Sequence, residues 1–122
     1  MLFLHYRDVH VAITGDLEAQ GWTELLKRED FRAELGRTRV LVASHHGRVS
    51  GYNPDVFNYC KPYVVIVSDV KPEDKDDSKV YEQHAIGINW KGAKKKVLHT
   101  WDVGHIVIEQ GPTGNWSINS SK

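Results

Sequence analysis

The alternation of apolar and polar residues at the start of the chain predicts two strands, over residues 2–6 and 9–14. Residues 7–8 would form the tight turn between them, although this pair lacks the glycine that such turns favour. In the second strand three apolar side chains share one side, which we expect to face a core: Val9, Val11 and Ile13.

A longer apolar stripe follows Asp16 at the spacing of a helix, and Gly36 ends the pattern. This stripe predicts one helix whose buried residues are Trp22, Leu25, Leu26, Phe31 and Leu35. Beyond the helix, residues 39–43 and 63–68 are nearly continuous apolar runs, the pattern of central strands covered on both faces. A short helix is predicted between these two strands, over residues 53–59.

The second half of the chain is predicted to hold a solvated loop, a further helix and a closing run of strands. The loop covers residues 71–78 and the helix covers residues 78–89, with an apolar stripe of Val80, His84 and Ile88. Strands are expected at residues 96–99, 105–109 and 116–118. Because strands and helices alternate through the middle of the chain, we expect one α/β layered domain over residues 1–122.

Composition adds few constraints to this pattern. Hydrophobic residues make up 40% of the chain and charged residues 26%, which is typical of a globular protein and excludes a disordered one. Sixteen basic residues balance sixteen acidic residues, so the net charge does not support a nucleic-acid or membrane partner. No apolar run is long enough to span a membrane. The single cysteine, Cys60, cannot form an internal disulfide, so we expect a reducing, cytoplasmic location.

Two of the predicted strands run directly into residues that can bind a metal. One is followed by Asp16 in the segment TGDLE, residues 14–18, and the other by paired histidines in the segment SHHG, residues 44–47. Carboxylate oxygen and imidazole nitrogen are ligands of hydrolytic metal sites, and glycine allows a sharp backbone turn beside an ion. Taken alone, Asp16 also fits a turn or a helix cap, and His45 with His46 also fits a surface pair.

The order and spacing of these motifs resemble the C-terminal half of a metallo-β-lactamase domain, in the branch found in DNA-uptake competence proteins. That branch carries TGD followed by L/I-E, then a strand ending in HHG, then P-x-V-V-I-x-S, which is matched here by residues 62–68. Six later residues fit its Tyr-x-x-His and Thr-x-x-x-Gly-x-Ile-x-Ile patterns: Tyr81, His84, Thr100, Gly104, Ile106 and Ile108. The resemblance covers residues 2–109 and leaves the tail from about residue 110 unmatched. It implies half of an αββα sandwich, with a mixed sheet and flanking helices.

The resemblance also implies roles for the polar residues at the strand ends. Asp16 would bridge two divalent metal ions, zinc or alternatively manganese, and His46 would ligate one of them because it directly precedes glycine. These two would be the catalytic residues, with His45 as the alternative ligand or a substrate contact. Ser68, from its position at a strand end on the same edge of the sheet, would line the substrate pocket or else cap a helix or turn. His84 would bind a phosphate or sulfate oxygen, although it equally fits an ordinary amphipathic helix.

The chain departs from the family in one respect that limits its chemistry. The signature His-x-His-x-Asp-His is absent, and so is the further histidine expected before TGD. A catalytic zinc usually has three protein ligands, whereas Asp16 and His46 offer two. We therefore expect metal to be weakly bound or absent, and no efficient hydrolysis by this chain alone. An N-terminal half or a partner chain would supply the missing ligands.

The leading hypothesis is a fragment or subunit of a metal-dependent hydrolase, in which metal-activated water attacks a phosphoester. The alternative is a non-catalytic module with a vestigial metal site, which self-associates as a homodimer or binds a partner through an apolar face. Nucleic-acid binding is a third hypothesis and rests on the lysine cluster within residues 91–96 alone. A predicted strand begins directly after Met1. This is compatible with an upstream segment that has been lost, with a partner chain in its place, or with a natural start at this residue.

Overall fold

A computed structural model describes residues 1–72 and 76–122; residues 73–75 of the predicted loop lie outside the described part. The strands, in chain order, are β1 (Leu2–Tyr6), β2 (Val9–Ile13), β3 (Val40–Val42), β4 (Val64–Val67), β5 (Ile88–Trp90), β6 (Ala93–Lys95), β7 (Val97–His99), β8 (Ile106–Gln110) and β9 (Trp116–Ser120). The α-helices are α1 (Ala19–Leu25), α2 (Glu29–Gly36) and α3 (Thr100–Val103).

Five of the strands form one mixed sheet in the order β1-β2-β3-β4-β7. Strands β1 and β2 form an antiparallel hairpin in which Leu2 lies opposite Ile13, whereas β2, β3, β4 and β7 run parallel to one another. Parallel neighbours need a crossover connection, and α1 and α2 lie in the crossover from β2 to β3. The predicted α/β class, with a mixed sheet and flanking helices, is therefore confirmed.

The two faces of the sheet contribute to two separate cores, because successive side chains of a strand point to opposite faces. On one face, Leu41 and Val65 share a buried cluster with Trp22 of α1 and Leu35 of α2. On the other face, buried strand residues pack against the hairpin of β8 and β9, in a cluster that includes Val40, Val64, Leu98, Ile106, Ile108 and Trp116. The central strands are thus covered on both faces, as their continuous apolar sequence predicts.

The prediction of a single helix after the TGDLE segment is wrong, because two helices occupy this stretch. Arg28 interrupts them with extended backbone angles, φ −89° and ψ 124°. The carbonyl of Leu26 accepts a hydrogen bond from the guanidinium of Arg32 at 2.8 Å. Glu29 and Asp30 then place negative charge in the first turn of α2, which the helix dipole favours. The break contains neither glycine nor proline, and the helical spacing of apolar residues continues across it. The sequence pattern therefore does not reveal where α1 ends and α2 begins.

The helix predicted over residues 78–89 is right only for its first half, because helical structure ends at Gln83 and a strand begins at Ile88. A 3-10 helix covers Asp77–Gln83, and the chain then enters the hairpin of β5 and β6 at Gly87, whose φ is 106°. The turn of that hairpin is Lys91 and Gly92, with φ values of 50° and 86°. Two-residue hairpin turns require such positive φ angles, so the glycine was the informative signal here.

The other elements follow the predictions more closely. The strands predicted at residues 96–99, 105–109 and 116–118 correspond to β7, β8 and β9. Residues 53–59 contain a helix, but it is the 3-10 helix Pro54–Asn58. Neither α3 nor the hairpin of β5 and β6 was predicted. Within residues 1–72 and 76–122, none of the helices combines the length and apolar character needed to cross a membrane.

Candidate functional site

The carboxyl ends of β2, β3, β4 and β7 meet at one edge of the sheet, because these strands are parallel neighbours. Polar residues lie at or just beyond each of these ends: Asp16, His45, His46, Ser68, Asp69 and His99. The backbone N–H of His45 donates to the carbonyl of Gly15 at 2.9 Å, which joins the SHHG turn to the TGDLE segment. The fold therefore brings together motifs that are about thirty residues apart in sequence.

The SHHG segment forms a left-handed turn. His45 has φ 49° and ψ 46°, and His46 has φ 56° and ψ 31°, angles that L-residues rarely adopt. Gly47 continues the turn with φ 75°, and a Cβ atom at this position would lie 2.9 Å from Cγ1 of Val67. Each non-glycine residue in such a conformation costs roughly 1–3 kcal/mol, and such strain is found mostly at functional sites.

The His46 ring is oriented by a single backbone hydrogen bond. Its Nδ1 lies 2.6 Å from the carbonyl oxygen of Ser68, and a carbonyl can only accept, so Nδ1 carries the proton. The lone pair is then on Nε2, which lies 4.0 Å from Oδ1 of Asp16. The side chains are accessible, with 55% of His46 and 81% of Asp16 exposed. A metal-ligating histidine commonly has this arrangement, with the second ring nitrogen donating to a carbonyl or carboxylate.

The neighbouring imidazole has different partners. Nδ1 of His45 lies 2.7 Å from Oγ of Ser50 and 4.0 Å from Oε1 of Glu18. The two histidines therefore face different carboxylates, His46 that of Asp16 and His45 that of Glu18. Of the two imidazoles, only His46 comes within ion-pair distance of Asp16 in the described part of the chain.

A cavity of about 630 Å³ opens beside His46. Its lining includes Arg48, Ser68, Asp69 and Asp76. Ser68 was predicted to line a substrate pocket, and the fold does bring it into one cavity with His46. The cavity combines guanidinium, imidazole and carboxylate groups, a lining that can hold polar or charged molecules.

A cluster around His99 was not predicted from the sequence. Nδ1 of His99 lies 3.3 Å from Oδ2 of Asp69, and its Nε2 lies 3.1 Å from Oγ of Ser78 and 3.7 Å from Oδ2 of Asp76. Only 13% of the His99 side chain and 16% of the Asp69 side chain are exposed. The sequence places His99 at the end of a predicted strand, but it does not reveal that this strand is the neighbour of β4.

The electrostatics of this cluster differ at its two carboxylates. Burial raises the pKa of Asp69 above its usual value, and the adjacent His99 opposes this effect. Burial also acts to raise the pKa of Asp76, but hydrogen bonds from the hydroxyl and backbone N–H of Ser78, with the nearby His99, leave it below its usual value. Asp76 therefore lies in surroundings that favour its ionised form.

The structure does not bring His84 together with these residues. Its ring stacks on Phe57, with 3.9 Å between the ring centroids, and its Nε2 lies 2.7 Å from the hydroxyl of Tyr52. Burial lowers the pKa of His84. It lies outside the cavity beside His46, so a phosphate contact by His84 remains a prediction from the resemblance.

The side chains present fit part of a metal centre. The Asp16 carboxylate and the lone pair of His46 Nε2 are suitable donors for zinc and lie close together. In residues 1–72 and 76–122, however, no three His, Cys, Asp or Glu side chains are grouped so that they could hold an ion. The described chain therefore offers a ligand pair rather than a complete set.

Comparisons with known proteins leave the family assignment at the level of motifs. No protein-family model, no curated protein and no solved structure matches the chain. What is established is an α/β fold with a mixed sheet, whose parallel strand ends carry an Asp16–His46 pair beside a cavity.

Proposed function

We propose that the chain supplies one ligand pair of a metal-dependent hydrolase of the metallo-β-lactamase superfamily. The observation that carries this proposal is the 4.0 Å approach of Asp16 Oδ1 to His46 Nε2, with His46 Nδ1 bonded to the carbonyl of Ser68. The ordered TGDLE and SHHG motifs agree with it. An N-terminal half or a partner chain would supply His-x-His-x-Asp-His and complete the site.

The residues of this chain would have distinct tasks in the complete enzyme. Asp16 would bridge two metal ions, and His46 would bind one of them through Nε2. The carbonyl of Ser68 holds the proton on Nδ1 and so keeps the lone pair of Nε2 available. A divalent ion, zinc or alternatively manganese, would supply a water whose pKa is lowered toward neutrality for attack on a phosphoester. By its position in the cavity lining, Ser68 would contact the substrate.

The fold proposed for the complete domain is an αββα sandwich of which this chain is the C-terminal half. Three features support it: the parallel order β2-β3-β4-β7, the helices on one face of the sheet, and the polar residues at the carboxyl ends of the strands. The phosphoester is proposed by analogy with the resembling branch, and a fold alone does not identify a substrate.

Calorimetric zinc titration of the purified chain tests the proposal. The wild-type chain is expected to bind zinc weakly, and Asp16→Asn and His46→Gln should each reduce the affinity at least about tenfold, because each removes a direct ligand. His105→Gln is the matched control, since His105 is exposed and does not line the cavity beside His46. Equal zinc affinity in all four proteins would refute the ligand assignment. Hydrolysis of bis(p-nitrophenyl) phosphate by the chain alone should stay at the level of the control without protein.

One observation favours the alternative, a non-catalytic module that self-associates. A groove of about 600 Å³ on the sheet face opposite α1 and α2 is lined largely by apolar side chains, including Leu4, Tyr6, Ile13, Ile106 and Ile108. Leu4 and Tyr6 lie on the edge strand β1 and are exposed. An exposed apolar patch of this kind marks a binding surface.

Sedimentation velocity over a range of concentrations tests self-association. If this face pairs with a second copy, Leu4→Asp should shift the protein to monomer. Val107→Asp, which alters an exposed valine of β8 whose neighbours Ile106 and Ile108 line the groove, should not. A wild-type chain that remains monomeric at every concentration would eliminate the homodimer, and the groove would then be a candidate surface for the completing half.

A further inference from the structure

We propose that His99 is a positioning residue for His46, acting through Asp69 and the carbonyl of Ser68. His46 lies in the turn that follows β3 and His99 is the last residue of β7, and the connecting residues Ser68 and Asp69 directly follow β4, which lies between these two strands in the sheet. The expected effect of His99 on metal binding rests on the proposed function. The expected effect of His99 on the orientation of the His46 ring does not, because it concerns the metal-free protein.

The first step of the connection is the bond from His46 to Ser68. The His46 side chain is more than half exposed, so packing alone does not fix its ring. The described contacts hold the ring by one hydrogen bond, from Nδ1 to the Ser68 carbonyl at 2.6 Å. The position of this carbonyl therefore decides whether the lone pair of Nε2 faces Asp16.

The second step is the attachment of Asp69 to β7. The backbone N–H of Asp69 donates to Oγ1 of Thr100 at 3.1 Å, and the same hydroxyl donates to the carbonyl of Asp69 at 3.2 Å. The Asp69 carboxylate lies 3.3 and 3.4 Å from Nδ1 of His99. Backbone and side chain of Asp69 are thus both held, and the Ser68 carbonyl directly before it is held with them.

The third step is the anchoring of His99 itself. Its Nε2 lies 3.1 Å from Oγ of Ser78, whose hydroxyl proton is donated to the carboxylate of Asp76. With 13% of its side chain exposed, His99 is far more enclosed than His46. Hydrogen-bond networks in enclosed surroundings restrict motion more than solvated ones, so an enclosed anchor can fix an exposed reactive ring. Groups bonded directly to a metal-ligating histidine typically change metal affinity by roughly 10–100-fold, and the Ser68 carbonyl, which His99 would hold through Asp69, is such a group.

Two substitutions of His99 separate this role from a space-filling one. The amide nitrogen of asparagine can take the place of Nδ1 and donate to Asp69, so His99→Asn should preserve the arrangement. The amide of glutamine takes the place of Nε2 and cannot donate to Asp69 in the same way, so His99→Gln should release it. Both variants keep a polar side chain of similar volume at the end of β7.

The measurement is the tautomer of His46 in the metal-free protein, from two-bond ¹H–¹⁵N correlation spectra. We expect wild type and His99→Asn to show the tautomer with the proton on Nδ1, and His99→Gln to show a mixture with the proton on Nε2. Thr100→Val, which loosens Asp69 without touching His99, should give the same mixture. Backbone amide spectra report that each variant is folded. If all variants keep the wild-type tautomer, or if His99→Asn and His99→Gln are equally altered, the proposal is overturned.

Zinc titration then separates this inference from the proposed function. If His99 positions a metal ligand, zinc affinity should fall about tenfold in His99→Gln and remain near wild type in His99→Asn. A wild-type chain that binds no zinc would remove the proposed function, yet the His46 tautomer would still report whether His99 orients that ring. Equal affinity in the two variants, with zinc bound at His46, would contradict the positioning role.

Discussion

Replacing His46 by glycine and by alanine separates the strain of the SHHG turn from the loss of the imidazole. Both substitutions remove the hydrogen bond to the Ser68 carbonyl, which contributes about 1 kcal/mol. Only glycine relieves the left-handed backbone of φ 56° and ψ 31°, because alanine keeps the Cβ atom. The difference between the two variants therefore reports the backbone strain at residue 46, reduced by the greater conformational freedom of glycine in the unfolded chain.

The expected magnitude follows from two opposing effects. A left-handed conformation costs an L-residue about 1–2 kcal/mol. Glycine avoids this cost, but it lowers the free energy of unfolding by about 0.4–1 kcal/mol relative to alanine, because a glycine gives the unfolded chain more conformational freedom. We therefore expect His46→Gly to be more stable than His46→Ala by about 1 kcal/mol, which corresponds to about 4 °C in Tm for a chain of this size.

Urea denaturation followed by circular dichroism is the assay, with equal m-values as the condition for comparing midpoints. Ala33→Gly is the matched control, because Ala33 is exposed inside the helix α2 and its substitution should lower the free energy of unfolding by about 0.5–1 kcal/mol. Relative to alanine, glycine is thus expected to raise the free energy of unfolding at position 46 and to lower it at position 33. Finding His46→Ala as stable as His46→Gly, or more stable, would refute the strain argument.

Three further predictions concern residues around the site and the core. Gly47→Ala should lower the free energy of unfolding by about 2–4 kcal/mol, because the new Cβ would lie 2.9 Å from Val67 Cγ1 and residue 47 has a positive φ. Urea denaturation measures this change, and an unchanged free energy of unfolding would contradict the turn geometry. Burial raises the pKa of Cys60 to about 12, so iodoacetamide at about pH 8 should alkylate it only in denaturant; rapid labelling of the folded chain would contradict its burial. Because the pKa of Asp76 is lower in the folded than in the unfolded chain, its ionised form stabilises the fold above about pH 4, and this stabilisation is lost as pH falls. Asp76→Asn should therefore have a lower free energy of unfolding than wild type at neutral pH, and the difference should disappear in acid. A difference that does not depend on pH would refute this prediction.

Local sequence patterns predicted the elements whose signal lies in a few neighbouring residues. Alternation identified β1 and β2, and continuous apolar runs identified β3 and β4, because these patterns report directly which faces are covered. The patterns failed where a local backbone preference outweighed periodicity. Gly87 and the Lys91–Gly92 turn end the apparent stripe of Val80, His84 and Ile88, since positive φ angles cannot continue a helix.

The candidate site was predictable to the extent that its residues belong to strand ends. Asp16, His46 and Ser68 each follow an apolar run, and the parallel sheet brings them to one edge. The contacts of His99 were not predictable, because they depend on β7 pairing with β4, a contact between residues about thirty positions apart. His84 matches a sequence motif, but tertiary packing against Phe57 and Tyr52 gives it partners away from the cavity.

The most direct test of the central claim is the ¹⁵N chemical shift of the His46 ring nitrogens during a zinc titration of the wild-type chain. We predict that Nε2 of His46 shifts on zinc binding while Nδ1 keeps its proton and its bond to Ser68, and that Asp16→Asn weakens this response. Zinc binding at Nδ1 of His46 with loss of its proton, a response confined to other histidines, or an unchanged Nε2 at saturating zinc would contradict the assignment of Asp16 and His46 as a metal-ligand pair.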